Sequence, residues 1–289
     1  MMLDLARFLI GACFLLYAAH SDLKTRTVEN WVWTLMGISG FLILGYNIQE
    51  KGDVPLNALA LLPSILLFID AVGESELMDK HWSKIGPTLY ILAAICFLYV
   101  AFLNDYGTFT LQILMIFVMM VMAYVFYYAR IFHGGADAKA FMCIAILMPF
   151  YPETMLMPLP EMVQPVFPFA FTTLLNGCII LLFMPLYYLL RNLKSGDMDM
   201  PYALLGYKSR TDNLPKFVWP MERLENGELV RSVAPKRDLD WDKEIEKLKK
   251  LDKKIWVTPK IPFILPLLAG FALTFFLGNL FFVILDLLL

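Results

Sequence analysis

The stretch from Phe109 to Ala129, FTLQILMIFVMMVMAYVFYYA, runs for twenty-one residues without one Asp, Glu, Lys or Arg. A helix needs about 20 apolar residues to cross the hydrocarbon core of a bilayer, so this stretch reads as a membrane span. Working outward, comparable runs precede it at Leu3–Ala19, Trp31–Ile48, Val54–Ile69 and Pro87–Asn104, and follow it at Asp137–Phe150, Pro168–Leu190 and Pro262–Leu285. The third run carries Pro63 and the sixth is short. The first lacks a basic start and a small-x-small cleavage site, so it is expected to be retained rather than removed as a signal. With 59% hydrophobic and 17% charged residues, against about 25% charged in soluble domains, the chain reads as an all-α polytopic membrane protein of about eight transmembrane helices. A small cytoplasmic subdomain is expected before the last helix. The expected divisions are a membrane domain over 1–190, a polar segment over 191–260 and a final helix over 261–289.

The net charge of -2 excludes a strongly basic nucleic-acid binder. Cys13, Cys96, Cys143 and Cys178 each sit alone in an apolar run, with no CxxC pair and no metal-ligand spacing. They read as small hydrophobes in lipid-facing or packed helices.

Lys and Arg concentrate in alternate connections. Lys24 and Arg26 follow span 1, Lys80 and Lys84 follow span 3, Arg130 and Lys139 flank the connection from span 5 to span 6, and sixteen more fall between Arg191 and Lys260. Cytoplasmic loops carry that excess, so these four connections face the cytoplasm and both termini face outward. Arg7 and Lys51 remain for the outer side. Within the polar segment, Trp241, Ile245, Leu248, Leu251 and Ile255 follow helical spacing, which predicts an amphipathic helix over Asp238 to Lys254. Such a helix packs on its own subdomain or, through its lysines, lies on the membrane surface.

Ionisable groups in or beside a bilayer are costly, so each asks for an explanation. Asp4, Asp70, Asp105 and Asp286 fall at span ends, where water or headgroups solvate them. Asp22 and Asp137 stand on the cytoplasmic side in two polar clusters, His20-Ser21-Asp22-Leu23-Lys24-Thr25-Arg26 and His133-Gly134-Gly135-Ala136-Asp137-Ala138-Lys139. Two glycines and an alanine before Asp137 permit a sharp turn or the close approach of another backbone. The short sixth span would recess Asp137 below the inner surface. The plain structural reading makes Asp137 a helix cap and Lys24 and Arg26 anchors of span 1.

Together the two clusters resemble the prepilin and archaeal preflagellin peptidases, which are membrane aspartyl proteases of the GxGD type. Asp22, Arg26, Val28 and Asn30 match that family's Asp-x-x-x-Arg-x-hydrophobic-x-Asn, and Gly134, Asp137 and Lys139 match its Gly-x-Gly-Asp-x-Lys. Ala136 replaces the second glycine, and Glu29 stands where a proline often precedes the asparagine. Ile255–Pro262 is similar to the junction into the last span of the archaeal enzymes. The CxxC pairs of the bacterial enzymes have no counterpart here. The 115 residues from Asp22 to Asp137 exceed the spacing expected of the smallest members, so spans 3 and 4 look like an added pair.

The resemblance implies an aspartic endopeptidase that removes the leader of a type IV pilin-like or preflagellin (archaellin) precursor at the cytoplasmic face of an archaeal cell membrane. Asp22 and Asp137 are the implied catalytic pair, supported by Lys24, Arg26, Asn30, Gly134, Gly135 and Lys139. The implied partners are the membrane-inserted precursor and the lipid bilayer, with no nucleic acid, no metal and no other cofactor. Two carboxylates that hydrolyse a peptide share one proton, and that titration belongs to the pair. Glu74, Glu76 and Asp79 can attract a basic leader or simply form a solvated loop. A proton-coupled transporter or channel is the competing class, since it too buries paired acids, but near the midplane and in repeated broken helices. A non-catalytic scaffold would tolerate Asn at both positions.

Overall fold

The computed structural model describes residues 2–76, 82–103, 107–132, 134–153, 155–157, 159, 163–225, 228–233 and 241–288. Asp79, Lys80, Asp105 and His133 lie outside them, and so do the side chains of Glu74, Glu76, Lys84 and Asp286. The chain divides into two compact units, one of residues 1–178 and 262–289, the other of 179–261.

The first unit is a helical bundle. Up to residue 178 its helices are α1 (Met2–Thr25), α2 (Asn30–Lys51), α3 (Val54–Glu76), α4 (Trp82–Ala101), α5 (Thr108–Tyr128), α6 (Gly135–Leu147) and most of α7 (Phe169–Leu182). After α7 come α8 (Met184–Ser195) and the short α9 (Tyr202–Leu205), which belong to the second unit.

Five stretches of the described helices are long and apolar enough to cross a membrane: Met2–Thr25, Asn30–Lys51, Val54–Gly73, Thr108–Tyr128 and Phe169–Ser195. This is a multi-pass membrane protein. Among the described residues these match five of the eight expected spans, and the count of eight is not confirmed. The apolar part of α4, Gly86–Ala101, is shorter, and α6 has only thirteen residues. The run expected over Pro262–Leu285 is broken at Leu277–Asn279 into α11 (Ile264–Phe276) and α12 (Leu280–Leu288), where Gly278 adopts φ 97°.

Helix α6 explains its own shortness. Ten of its thirteen residues are buried, the pattern of a helix enclosed on all sides. It packs chiefly on α2 and α5 and more lightly on α1. The approach to α2 is close at Gly40, where a Cβ would lie 3.0 Å from both N and Cα of Leu147. Helix α1 runs beside α11, with the Phe8 ring stacked on Phe275 at 4.2 Å.

The second unit corrects the all-α expectation. β1 (Tyr207–Arg210), β5 (Lys254–Pro259) and β2 (Val218–Pro220) form an antiparallel sheet in that order, and β3 (Glu222–Glu225) pairs with β4 (Glu228–Arg231). The expected amphipathic helix is α10 (Trp241–Lys249), five residues shorter at its C-terminal end than the stripe suggested. Ile255 is paired with Ser209 in the sheet rather than placed on that helix. Leu248 is fully buried with Val218, Ile255 and Val257, so α10 covers its own unit's sheet. Residues 238–240 lie outside the description.

Candidate active site

Asp22 occupies the last turn of α1 and is half-buried, with Lys24 exposed beyond it. The chain then reverses. The Arg26 N–H closes the helix on the Asp22 carbonyl at 3.0 Å with φ 60°, a left-handed conformation that costs a non-glycine residue about 1–2 kcal/mol. Two side chains stabilise that bend: the Ser21 hydroxyl donates to the Thr27 carbonyl at 2.8 Å, and the Thr25 hydroxyl donates to the Ser21 carbonyl at 2.9 Å. Glu29 then precedes α2 with φ -67° and ψ 145°, values a proline also adopts. The departure from the family pattern at Glu29 therefore keeps the backbone path. Asn30 opens α2.

The second cluster opens α6. Gly134 is the N-cap, extended at φ -128° and ψ 147°. Asp137 sits three residues later, only 7% exposed. Its Oδ2 accepts the Gly134 N–H at 3.2 Å while its own N–H donates to the Gly134 carbonyl at 3.1 Å. The N-cap expected of Asp137 is thus Gly134, and Asp137 reaches back to it from inside the helix. The positive end of the helix dipole favours a negative charge there. The chain bends at Gly134 as it enters α6, but the bend does not call on glycine's conformational freedom. Gly134 has a backbone any residue adopts, a Cβ on it would meet Asp137 Oδ2 at an ordinary 3.6 Å, and around Gly135 nothing lies within 4 Å. What these glycines provide is open space at the start of α6.

The fold ties the two clusters together. Lys139 Nζ donates to Asn30 Oδ1 at 2.8 Å across 109 residues of sequence. One helical turn further, the Cys143 thiol meets the Trp33 carbonyl at 3.3 Å, and Gly40 meets Leu147. Helices α2 and α6 therefore run parallel. Helix α1 is antiparallel to α2, as the hydrogen bond from Arg7 Nη2 to Asn47 Oδ1 at 2.6 Å and the packing of Tyr17 on Trp31 at 5.4 Å require. It follows that α1 is antiparallel to α6, and the two touch where a Cβ on Gly11 would lie 3.0 Å from Leu147 Cδ2. From that contact Asp22 lies about 16 Å along α1 and Asp137 about 15 Å back along α6, at 1.5 Å per residue. The two acids stand at one level of the bundle. The contact with α1 is the lighter one; the larger faces of α6 go to α2, which Gly40 admits closely, and to α5.

Asp70 also departs from expectation. Rather than sitting at a solvated span end, it is 2% exposed, and its Oδ2 accepts hydroxyl hydrogens from Tyr90 and, at 2.8 Å, from Tyr124. A groove of about 520 Å³ lies beside those tyrosines, lined also by Leu67, Val121 and Val125. Two residues beyond Asp70, the Val72 carbonyl accepts the Asn30 amide at 2.9 Å. The sequence signal missed was an acid and two phenols inside otherwise apolar runs. No group of three His, Cys, Asp or Glu side chains that could hold a metal gathers among the described residues.

The chain is similar to known proteins in two ways. The family model described as archaeal peptidase A24 C-terminus type II matches residues 198–280. Over nearly the whole chain there is similarity to proteins named preflagellin peptidase. The one from Methanocaldococcus jannaschii is 26% identical over 284 residues, 94% of each chain. The one from Methanococcus voltae is 24% identical over 283 residues, 94% of this chain and 95% of its own.

Proposed function

We propose that the chain, similar over 94% of its length to proteins named preflagellin peptidase and matching an archaeal peptidase A24 model near its C-terminus, is a membrane-embedded aspartyl endopeptidase. Its substrate is a preflagellin or type IV pilin-like precursor, inserted in the bilayer, whose leader peptide it removes at the cytoplasmic face. The observation that carries this reading is the hydrogen bond from Lys139 to Asn30, which joins the two clusters across 109 residues of sequence; helix rise counted from the Gly11–Leu147 contact puts Asp22 and Asp137 at about one level.

The helix ends suggest how the pair divides its work. Asp137 lies in the first turn of α6, where the dipole and the Gly134 N–H favour the carboxylate. Asp22 lies in the last turn of α1, where the dipole disfavours one. The shared proton then rests on Asp22. Asp137 takes a proton from water as its oxygen attacks the scissile carbonyl, and Asp22 donates a hydrogen bond to the developing oxyanion. Proton return to the leaving amine completes cleavage, with the C–N bond broken and one water consumed. Lys139, held by Asn30, keeps a positive charge two residues from Asp137, where it offsets the negative charge of the pair.

Charge placement supports the cytoplasmic orientation, since Lys24, Arg26, Arg130 and Lys139 flank the same side as both acids. The test is cleavage by the purified full chain in liposomes carrying a preflagellin precursor. Release of the leader by the native protein, lost in Asp22→Asn and Asp137→Asn, is the expected result. An intact precursor with folded native protein would sink the assignment.

A further inference from the structure

Among the described residues of the helical bundle, Asp70 is a buried acid that the proposed reaction does not use. It joins three helices: it stands on α3, and Tyr90 of α4 and Tyr124 of α5 both donate to its Oδ2. The two phenol rings meet edge to face with centroids 5.9 Å apart. Helix α4 comes so near that a Cβ on Gly86 would lie 2.9 Å from Asp70 Oδ1, closer than side chains pack. An acid enclosed among apolar helices is costly unless its hydrogen bonds replace those it made with water. The three helices therefore have one mutual setting in which Asp70 is satisfied.

That setting reaches the site in two bonds. Val72 is two residues beyond Asp70, about 3 Å along the same helix, and its carbonyl accepts Asn30 Nδ2 at 2.9 Å. The other end of the same amide, Asn30 Oδ1, accepts Lys139 Nζ at 2.8 Å. Lys139 lies on the first turns of α6 with Asp137. A displacement of Asp70 carries the Val72 carbonyl with it, because a helix is rigid over two residues.

We infer that Asp70 is a positioning residue for the cleavage reaction: anchored by Tyr90 and Tyr124, it sets the Val72 carbonyl and so, through Asn30 and Lys139, the placement of Asp137 opposite Asp22. The inference rests on the peptidase reading above. Asp70 touches no reacting atom, so its effect falls on geometry in the transition state, where misplacement by about 1 Å can cost a hundredfold, rather than on substrate binding.

The experiment uses the full chain in liposomes with a preflagellin precursor, comparing the native protein with Asp70→Leu, Asp70→Asn, Gly86→Ala, Asn30→Ala and the double variant Asp70→Leu/Asn30→Ala. Asp70→Leu should lower kcat about tenfold or more with KM within about twofold. Asp70→Asn, whose amide oxygen still accepts both hydroxyls, should keep about half of kcat or more. The double variant should be no worse than its more damaging single parent, because both changes act through one contact. Gly86→Ala keeps the carboxylate but displaces it, and should lower kcat severalfold; it carries the test if Asp70→Leu does not fold. Native kcat in Asp70→Leu, or in a folded Gly86→Ala, overturns the inference. So does a loss that multiplies with that of Asn30→Ala, as two independent structural defects would, or an Asp70→Asn as slow as Asp70→Leu. If the native protein leaves the precursor whole, the peptidase reading itself has failed, an outcome distinct from an active enzyme indifferent to Asp70.

Discussion

Lys139 and Asn30, 109 residues apart in the chain, are joined by a hydrogen bond of 2.8 Å from Nζ to Oδ1. Through it the start of α6 is registered on the start of α2. The same Asn30 side chain donates to the Val72 carbonyl, so one amide holds three helices. Asn30→Ala should destabilise the folded chain by about 1–3 kcal/mol, the usual cost of leaving such partners unmet, and lower cleavage more than tenfold. Thermal unfolding in detergent and an initial-rate assay would check both. Native rates would show that the register is held elsewhere.

Asp22→Asn and Asp137→Asn should each reduce cleavage at least about a hundredfold, since an amide cannot share the proton. Asn at 137 can still accept the Gly134 N–H, so that variant should insert and unfold like the native protein. Its residual rate should be the lower of the two if Asp137 is the base. A variant above about a hundredth of the native rate removes its residue from the pair.

Gly134 tests space rather than strain. Its φ of -128° suits any residue, so Gly134→Ala should leave unfolding unchanged, and Gly134→Val should slow cleavage by crowding whatever enters above Asp137. A melting temperature lowered as much as activity would show that the glycine serves the fold.

At the other end of α1, Arg7 is 1% exposed, bonded to Asn47 Oδ1 and set 5.5 Å from the centre of the Phe150 ring. Fifteen residues separate it from Asp22, about 22 Å of helix. Arg7→Ala should therefore cost stability, about 1.5–3 kcal/mol for a charged hydrogen bond, without changing kcat of the folded fraction. An equal loss in kcat would place Arg7 in the reaction.

Single cysteines in a background freed of Cys13, Cys96, Cys143 and Cys178 would test the orientation. Lys51→Cys should react with an impermeant reagent from outside, and Lys216→Cys only from within. The reverse pattern would separate both aspartates from a cytoplasmic leader.

What could be read in the sequence was whatever depends on neighbours along the chain. Charge-free runs located the helices, because bilayer insertion sums hydropathy over consecutive residues. The helix ends holding Asp22 and Asp137 were marked by turn and polar residues. Asp70 was misread because its surroundings come from Tyr90 and Tyr124, 20 and 54 residues away, while its local sequence looks like an ordinary span end. Ile255 was misread for a related reason. Its spacing from Leu248 and Leu251 fits a helix, but pairing with Ser209 puts it in a strand. The break at Leu277–Asn279 was hidden by an apolar run that continues through it. There Asn279 accepts the N–H groups of Phe281 and Phe282 and starts a new helix.

Strand β5 is last of its sheet in chain order yet lies between β1 and β2. During synthesis those two strands have no partner until Lys254–Pro259 leaves the ribosome, so the unit cannot close stepwise from its beginning. Its completion coincides with the emergence of α11, which begins five residues after β5 ends. A chain stopped at Lys253 would retain α1 to α8 with both aspartates, but its three-stranded sheet would be missing at the centre and exposed to proteases. Closure of the polar unit's sheet therefore waits on one six-residue strand.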